Sequence, residues 1–373
     1  MRRRSFLGGA AGVGLALGTG AGKLLAGAWT GGESPSPPRT EARYYKKLPG
    51  REVLCGLCPR ACLVADKERG FCGVRQNIGG TYYSLVYGKV CALNVDPIEK
   101  KPFFHVLPKT DALSLATAGC NFHCKFCQNW EISQSRPEQV EATDLSPRAA
   151  AEAALRHGCP SIAFTYSEPT VFYEYMSDTA AEARKRGLKS VVVSNGHINP
   201  EPLRALTEKV DAIKIDLKAF RPEFYRTYVR GELDPVLESI RIVRQSGVWL
   251  EIVYLVIPTL NDGEAEIRDM SRWMAGEIGP DVPVHFSRFQ PMYLLKNLPP
   301  TPVATLEAAR RTALAEGLRY VYVGNVPGHE GENTYCPKCR TAVIERSGFE
   351  IRANRLKGGA CPNCRTPIPG LWA

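Results

Sequence analysis

The stretch Leu113-Ser-Leu-Ala-Thr-Ala-Gly-Cys-Asn-Phe-His-Cys-Lys-Phe-Cys-Gln-Asn-Trp130 runs from an apolar segment straight into three cysteines, Cys120, Cys124 and Cys127, spaced C-x3-C-x2-C. Leu113–Ala118 reads as a buried strand, and Gly119 permits a sharp exit from it. Parallel α/β folds place their chemistry on loops at the carboxyl ends of strands, so the cysteines stand where a site is expected. Three thiolates at this spacing can hold three irons of a [4Fe–4S] cluster and leave the fourth open. An open iron can bind the amino and carboxylate groups of S-adenosylmethionine (SAM) and donate one electron into its sulfonium, which releases a 5′-deoxyadenosyl radical. The competing reading is part of a zinc site completed by a distant ligand.

Downstream, short β-like runs alternate with helical stretches, which predicts parallel βα units. The expected strands are Ser161–Tyr166, Lys189–Ser194, Ala212–Leu217, Val248–Ile257, Val284–Phe289 and Arg319–Val323. The expected helices are Ser146–His157, Val171–Arg186, Glu201–Lys209, Pro222–Tyr228, Glu264–Glu277 and Val303–Glu316, with Leu237–Ser246 leading into the strand at Val248. Ser146 serves as N-cap of the first helix, with Pro147 at its opening position. The pattern predicts an α/β fold: a partial or nearly closed (β/α) barrel, residues 111–328, with small Cys-rich metal-binding segments at 51–110 and 329–373.

In this setting the cysteine motif resembles that of the radical SAM superfamily. The resemblance implies that Tyr166-Ser-Glu-Pro169 stands where those enzymes commonly carry Gly-Gly-Glu-Pro, with Glu168 accepting hydrogen bonds from the methionine ammonium. Without the two glycines the backbone must approach differently, and the alternative role is a helix N-terminal acid favoured by the dipole. Ser194-Asn195-Gly196 resembles the Thr-Asn-Gly of pyruvate formate-lyase activating enzymes, which implies that Asn195 contacts the ribose or carboxylate; Asn-Gly is also an ordinary turn.

Lys214-Ile-Asp216-Leu-Lys218 alternates polar and apolar residues, so its three charges share one face of a strand. Charges facing a barrel interior need partners, and a zwitterionic ligand with a sulfonium is one; the other reading is an outward, salt-bridged strand end. The segment resembles the Asp-Leu-Lys motif of glycyl-radical activases, which implies that Asp216 and Lys218 line the SAM and substrate end, with Lys218 on a carboxylate or the radical path. Ile257–Asp262 and His285–Pro291 mark two further strand ends within reach of adenine or methionine, although a lone His285 is more often a core residue.

Thirteen cysteines in a chain of 373 residues are an odd total gathered mostly in tight groups, which suits metal better than disulfides. Cys55, Cys58, Cys62 and Cys72, spaced C-x2-C-x3-C-x9-C, read as one closed site for structural zinc or a second iron–sulfur cluster, with zinc slightly favoured over the cluster and local disulfides as the bland alternative. Cys336-Pro-Lys-Cys339 and Cys361-Pro-Asn-Cys364 look like a zinc ribbon whose hairpin is supplied by Val343–Arg352. Cys91 and Cys159 read as buried, inert thiols.

A composition of 44% hydrophobic and 23% charged residues fits a large core and excludes global disorder. The formal charge of +10 owes four of its positive groups to Arg2, Arg3, Arg4 and Lys23, in a region without acids. Arg3-Arg4-Ser5-Phe6-Leu7 and the Gly/Ala/Leu run to Ala28 match a twin-arginine signal at 1–28, followed by a Pro/Ser/Gly-rich linker at 29–50. The expectation is export of a folded protein, with a cytoplasmic or N-terminally anchored location as the alternative. The apolar run is too glycine-rich for a stable membrane span.

One further stretch, Ala92-Leu-Asn-Val-Asp-Pro-Ile-Glu-Lys-Lys-Pro-Phe-Phe-His105, together with the Cys55–Cys72 segment and Cys127-Gln-Asn-Trp130, resembles the radical SAM member of the AmmeMemoRadiSam system. That group is similar to the activases that abstract hydrogen from a glycine Cα in a partner protein. The resemblance implies reductive SAM cleavage, a low-potential electron donor and a protein or peptide substrate. An RNA-modifying enzyme is the second reading, drawing on the positive charge and zinc ribbon, but no arginine-rich stripe with interleaved aromatics argues for nucleic acid. The third is a non-enzymatic, exported iron–sulfur or metal carrier.

Overall fold

The computed structural model describes residues 39–372. The expected signal at 1–28 and residues 29–38 of the linker expected at 29–50 lie outside the described residues, and the rest of that linker carries the short strands Thr40–Glu41 and Tyr45–Lys47. Among the described residues, no helix is long and apolar enough to cross a membrane.

The centre is an eight-stranded sheet whose strands lie side by side in chain order. They are β1 (Ala92–Pro97), β2 (Asp111–Ala116), β3 (Ser161–Phe164), β4 (Lys189–Ser194), β5 (Ala212–Asp216), β6 (Trp249–Val256), β7 (Val284–Arg288) and β8 (Val321–Gly324). β1 pairs antiparallel with β2, and every later neighbour is parallel. Helices occupy the crossovers: α1 (Pro147–Arg156), α2 (Tyr173–Arg184), α3 (Pro200–Thr207), α4 (Asp234–Ser246), α5 (Glu264–Trp273) and α6 (Val303–Ala315). Parallel neighbours need such crossovers, and each helix buries one face on the sheet. β1 and β8 do not pair with each other, so the sheet is open, the partial form of the expected barrel.

Local chemistry sets the element ends. The Ser146 hydroxyl accepts from Ala149 N at 3.2 Å and starts α1, with Pro147 in its first turn. Ala150, Ala151, Ala153 and Ala154 are buried, so small side chains let this helix sit close on the sheet. Gly247, at φ 81°, ends α4 in the left-handed conformation that a side chain would resist. The strand cores are fully buried: Ile162, Ala163 and Phe164 on β3, and Leu113 and Leu115 on β2, expose nothing.

Four elements differ from the sequence reading. Ala92–Pro97, expected within the Cys-rich segment at 51–110, is a strand of the central sheet. The expected helix at 171–186 opens with a 3₁₀ turn, Pro169–Phe172. The expected helices at 222–228 and 264–277 change into π turns at Tyr225–Val229 and Met274–Ile278. At Tyr225–Val229 the change has a visible purpose, because the Tyr228 and Val229 carbonyls accept backbone N–H bonds from Lys125 (2.9 Å) and His123 (3.0 Å) in the cysteine loop.

Small segments flank the sheet. On the amino side, Val53–Cys55 pairs antiparallel with Leu63–Val64, and Arg75–Ile78 with Thr81–Ser84. On the carboxyl side, β9 (Ala342–Ser347) and β10 (Glu350–Asn354) form the expected hairpin. It is tied back to the sheet by Arg346, whose guanidinium donates to Phe104 O at 2.8 Å.

Candidate active site

The carboxyl ends of the parallel strands surround a cavity of about 490 Å³. Cys120, Cys124 and Cys127 line it together with Glu168, Asn195, Lys214, Asp216 and Lys218. The sequence-selected residues, scattered over about a hundred positions, therefore meet in one place.

The cysteine loop is held from several sides. Besides the two π-turn carbonyls, Gly119 N donates to Ile132 O at 2.9 Å. Gly119 itself is at φ 94°, and a Cβ there would meet Val74 and the Cys72 carbonyl. The Phe122 ring lies so close over Gly231 that no side chain fits at that position. Asn195 Nδ2 donates to Asn121 Oδ1 at 2.8 Å and lies 3.8 Å from Cys120 Sγ, while Phe122 N approaches the same sulfur at 3.3 Å. Burial pushes the Cys124 thiol up to about 12 and raises Cys120 and Cys127 as well, so these sulfurs become thiolates only with a strong positive partner. Three sulfurs with N–H donors on one of them and a lysine beside another fit a thiolate-bound metal cluster.

The comparisons with known proteins agree with this chemistry. The profile described as the Radical SAM superfamily matches residues 114–270. Uncharacterized protein MJ0808 of Methanocaldococcus jannaschii is 48% identical over 316 residues, covering 85% of this chain and 94% of that one. The chain belongs to the radical SAM superfamily. Among solved structures, a domain of pyruvate-formate lyase-activating enzyme from Bacteroides vulgatus aligns with a TM-score of 0.40 and 16% identity, covering 44% of this chain and 98% of that one. SuiB of Streptococcus suis bound to precursor peptide SuiA aligns with a TM-score of 0.46 and 11% identity, over 59% and 48% of the two chains.

In this radical SAM protein Glu168 is 3% exposed and caps the 3₁₀ turn that follows β3. Its Oε1 accepts from Thr170 N (3.0 Å), Thr170 Oγ1 (2.8 Å) and Ser194 Oγ (2.7 Å), whereas Oε2 accepts only from Asn195 N (2.8 Å). Of the two roles weighed from sequence, the turn-capping one is realised; Glu168 also lines the cavity, and its Oε2 has capacity for a further donor. Asn195 also lines the cavity, with Nδ2 donating to Asn121 Oδ1 and Oδ1 accepting from His197 N, both at 2.8 Å. It orients the cysteine loop.

Lys214, Asp216 and Lys218 point into the cavity as the alternation implied. Lys214 Nζ pairs with Asp216 Oδ1, and Lys218 Nζ with Oδ2 at 2.8 Å. Burial raises the cost of the Asp216 charge, but the two flanking ammonium groups win and hold its carboxyl down at about 2. Lys218 is pushed upward, against burial, by Asp216 and by the nearby Cys124. Burial pushes Lys214 downward against the pull of Asp216, so Lys218 is the firmest positive charge beside the cysteines.

Other strand ends divide. Asn261 donates to Lys218 O (2.8 Å) and Leu255 O (2.9 Å) and accepts from Ile257 N (2.6 Å), which braces the turn after β6 instead of reaching the cavity. His285 is fully buried on Glu251 Oε2 at 2.7 Å, yet it lines the cavity and its Nδ1 has no partner. The sequence reading missed a second charged group. Asp96 on β1 takes Lys100 Nζ (2.8 Å), Lys101 Nζ (2.5 Å) and the Tyr166 hydroxyl, and Lys101 Nζ stands 4.3 Å above the Tyr166 ring. The available signal was the polar period-two pair Asn94 and Asp96 in an otherwise apolar run.

Of the satellite cysteines, the C-terminal four close up tightly. The Sγ atoms of Cys336 and Cys364 are 3.5 Å apart, those of Cys339 and Cys361 3.6 Å, and all four lie within 4.8 Å of one another. The two knuckles match: Arg340 N donates to Cys336 O and Arg365 N to Cys361 O, both at 2.9 Å, with both arginines at φ 61°. Cys55, Cys58, Cys62 and Cys72 are gathered beside the cysteine loop, all as free thiols.

Proposed function

We propose that this protein reductively cleaves SAM and uses the resulting radical to abstract hydrogen from a protein or peptide partner. The observation that carries this reading is the convergence of Cys120, Cys124 and Cys127, the Glu168 carboxylate and the Lys214–Asp216–Lys218 triad on one cavity with an exposed apolar edge. A cluster held by the three cysteines supplies the single electron, taken from a low-potential donor, that splits the sulfonium into methionine and a 5′-deoxyadenosyl radical.

The chain's own groups do the positioning. Glu168 Oε2 has room for one more donor, which suits the methionine ammonium. Lys218 presents a charge-assisted donor beside Cys124, which suits the methionine carboxylate, and Asp216 keeps that ammonium oriented. Asn195 holds the loop on which the cysteines sit. At the edge of the cavity stands Phe349, at the β9–β10 hairpin turn and 48% exposed, an apolar contact for a segment of a partner chain. The resemblance of the 92–105 stretch to the AmmeMemoRadiSam radical enzyme and of the strand-end motifs to activases supports the same reading. Zinc at the C-terminal four cysteines completes the proposal, since their spacing matches one tetrahedral ion.

The test is anaerobic reconstitution with iron and sulfide, reduction by dithionite, addition of SAM, and detection of 5′-deoxyadenosine. Deuterium moved from a labelled partner into that product would identify the abstracted hydrogen. A reduced, cluster-loaded sample that leaves SAM intact would remove the reading.

A further inference from the structure

We infer that Cys55, Cys58, Cys62 and Cys72 ligate a second iron–sulfur cluster, seated against the loop that carries Cys120, Cys124 and Cys127. The backbone brings these four thiols together by three local devices. Pairing of Val53–Cys55 with Leu63–Val64, closed by Cys55 N on Cys62 O at 2.9 Å, sets Cys55 beside Cys62. A tight turn, Ala61 N on Cys58 O at 3.1 Å with Ala61 at φ 42°, points Cys58 back toward them. A second turn, Gly73 N on Gly70 O at 2.9 Å, brings up Cys72, and within it Phe71 N approaches Cys62 Sγ at 3.5 Å. An N–H aimed at sulfur is the outer contact that a metal-bound thiolate takes.

Charge points the same way. Arg75 is 1% exposed and pairs with Glu174 at 2.5 Å through Nη2, but its Nη1 has no partner. This buried guanidinium lies within electrostatic reach of Cys55 and Cys72. A free cationic N–H in the interior is costly beside neutral thiols or disulfides, and is offset beside thiolates that carry a metal.

Spacing separates a cluster from zinc. One tetrahedral zinc, with bonds of about 2.3 Å, holds its sulfurs about 3.8 Å apart. The C-terminal four meet that spacing at 3.5 and 3.6 Å. Among the described residues no other set of three or more Cys, His, Asp or Glu ligand atoms lies within 4.8 Å. The Cys55–Cys72 sulfurs, like those of Cys120–Cys127, are not drawn to single-zinc spacing, which leaves room for a centre of several irons.

The two groups are also contiguous. Cys58 lies against the Asn121 side chain, next in sequence to Cys120, and Arg60 donates to Asn121 O at 2.5 Å. The Arg60 charge faces Cys58, Cys62 and Cys120 together. One arginine and one asparagine thus serve both centres.

Iron, acid-labile sulfide and zinc measured on the full-length, anaerobically reconstituted protein decide the matter without reference to SAM cleavage. Two [4Fe–4S] clusters predict about eight irons per chain, against about four for one. The triple variant Cys120→Ala, Cys124→Ala, Cys127→Ala is expected to keep iron with matching sulfide, and Cys58→Ser with Cys62→Ser in the otherwise native chain to lose that share alone. A folded triple variant that holds zinc or no metal at this site overturns the inference. Should that variant fail to fold, about four irons in the native chain overturns it equally.

Discussion

The Tyr166 hydroxyl donates to the Asp96 carboxylate while the Tyr166 backbone sits in the left-handed region at φ 65°. In that conformation a non-glycine residue is strained by about 1–2 kcal/mol. It stands where the related motif has its first glycine, so the ring's contacts offset the strain. Asn94 Nδ2 bonds the same hydroxyl at 3.1 Å, Lys101 covers the ring, and Asn129 holds the Tyr166 carbonyl at 2.8 Å. Tyr166→Phe, which removes a bond to a buried charged acceptor, is expected to cost about 1–3 kcal/mol in denaturant unfolding. Tyr166→Gly relieves the backbone but deletes the whole contact set and is expected to be less stable still. A stabilised glycine variant would show that the ring network does not hold this turn.

Asp216 tests the charged triad. Asp216→Asn leaves Lys214, 3% exposed, facing Lys218 with no anion between them. Breaking such a buried arrangement by removing one partner costs about 3–5 kcal/mol unless a lysine gives up its proton. The expected outcome is a large loss of stability near neutral pH that shrinks at alkaline pH, where a lysine can neutralise. Chemical denaturation at several pH values measures it, and an unchanged stability at neutral pH would mean that the triad is not coupled.

What could be read before folding was local. Cysteine spacing, the apolar runs of β2 to β8 and the capping of α1 by Ser146 depend on neighbours a few residues away, and each appears close to its expected place. The Lys214–Asp216–Lys218 face follows from strand periodicity alone. What stayed hidden depends on distant partners. Nothing near Asp96 announces Tyr166, seventy positions on. Nor does anything near Asn195 announce that its amide also braces Asn121 in the cysteine loop, seventy-four positions earlier. The π turn at Tyr225–Val229 offers its last two carbonyls to N–H donors of the cysteine loop, a demand no propensity scale contains.

The C-terminal four cysteines carry a separate prediction. A closed tetrahedral site contributes folding free energy but no open coordination position. Cys336→Ser, at a buried sulfur, is expected to lower zinc content and unfold the β9–β10 hairpin region at lower denaturant, while the iron content is retained. Loss of iron in place of zinc would reassign the metal.

Acid sensitivity is expected where the C-terminal segment meets the sheet. His105 Nδ1 lies 2.6 Å from Pro369 O and Nε2 2.6 Å from the Tyr322 hydroxyl. A carbonyl only accepts, so Nδ1 carries the hydrogen and Nε2 accepts from Tyr322; protonating Nε2 reverses that bond and forces the Tyr322 hydrogen toward Thr334 Oγ1, 2.9 Å away. Burial, against the opposing pull of Glu251 and with help from Arg346 and His285, lowers the His105 pKa from 6.5 to about 4. Between those values the unfolded chain binds a proton that the folded chain refuses. Stability is therefore full above the unfolded value and falls as the pH drops toward about 4, by up to about 3 kcal/mol from this group. His197, lowered to about 3, and His285, also lowered, act with the same sign. Denaturant midpoints from pH 7 to pH 4 should decline in the native chain, and less steeply in His105→Gln, whose starting stability is lower. Equal slopes in the two proteins would place the acid sensitivity outside this contact.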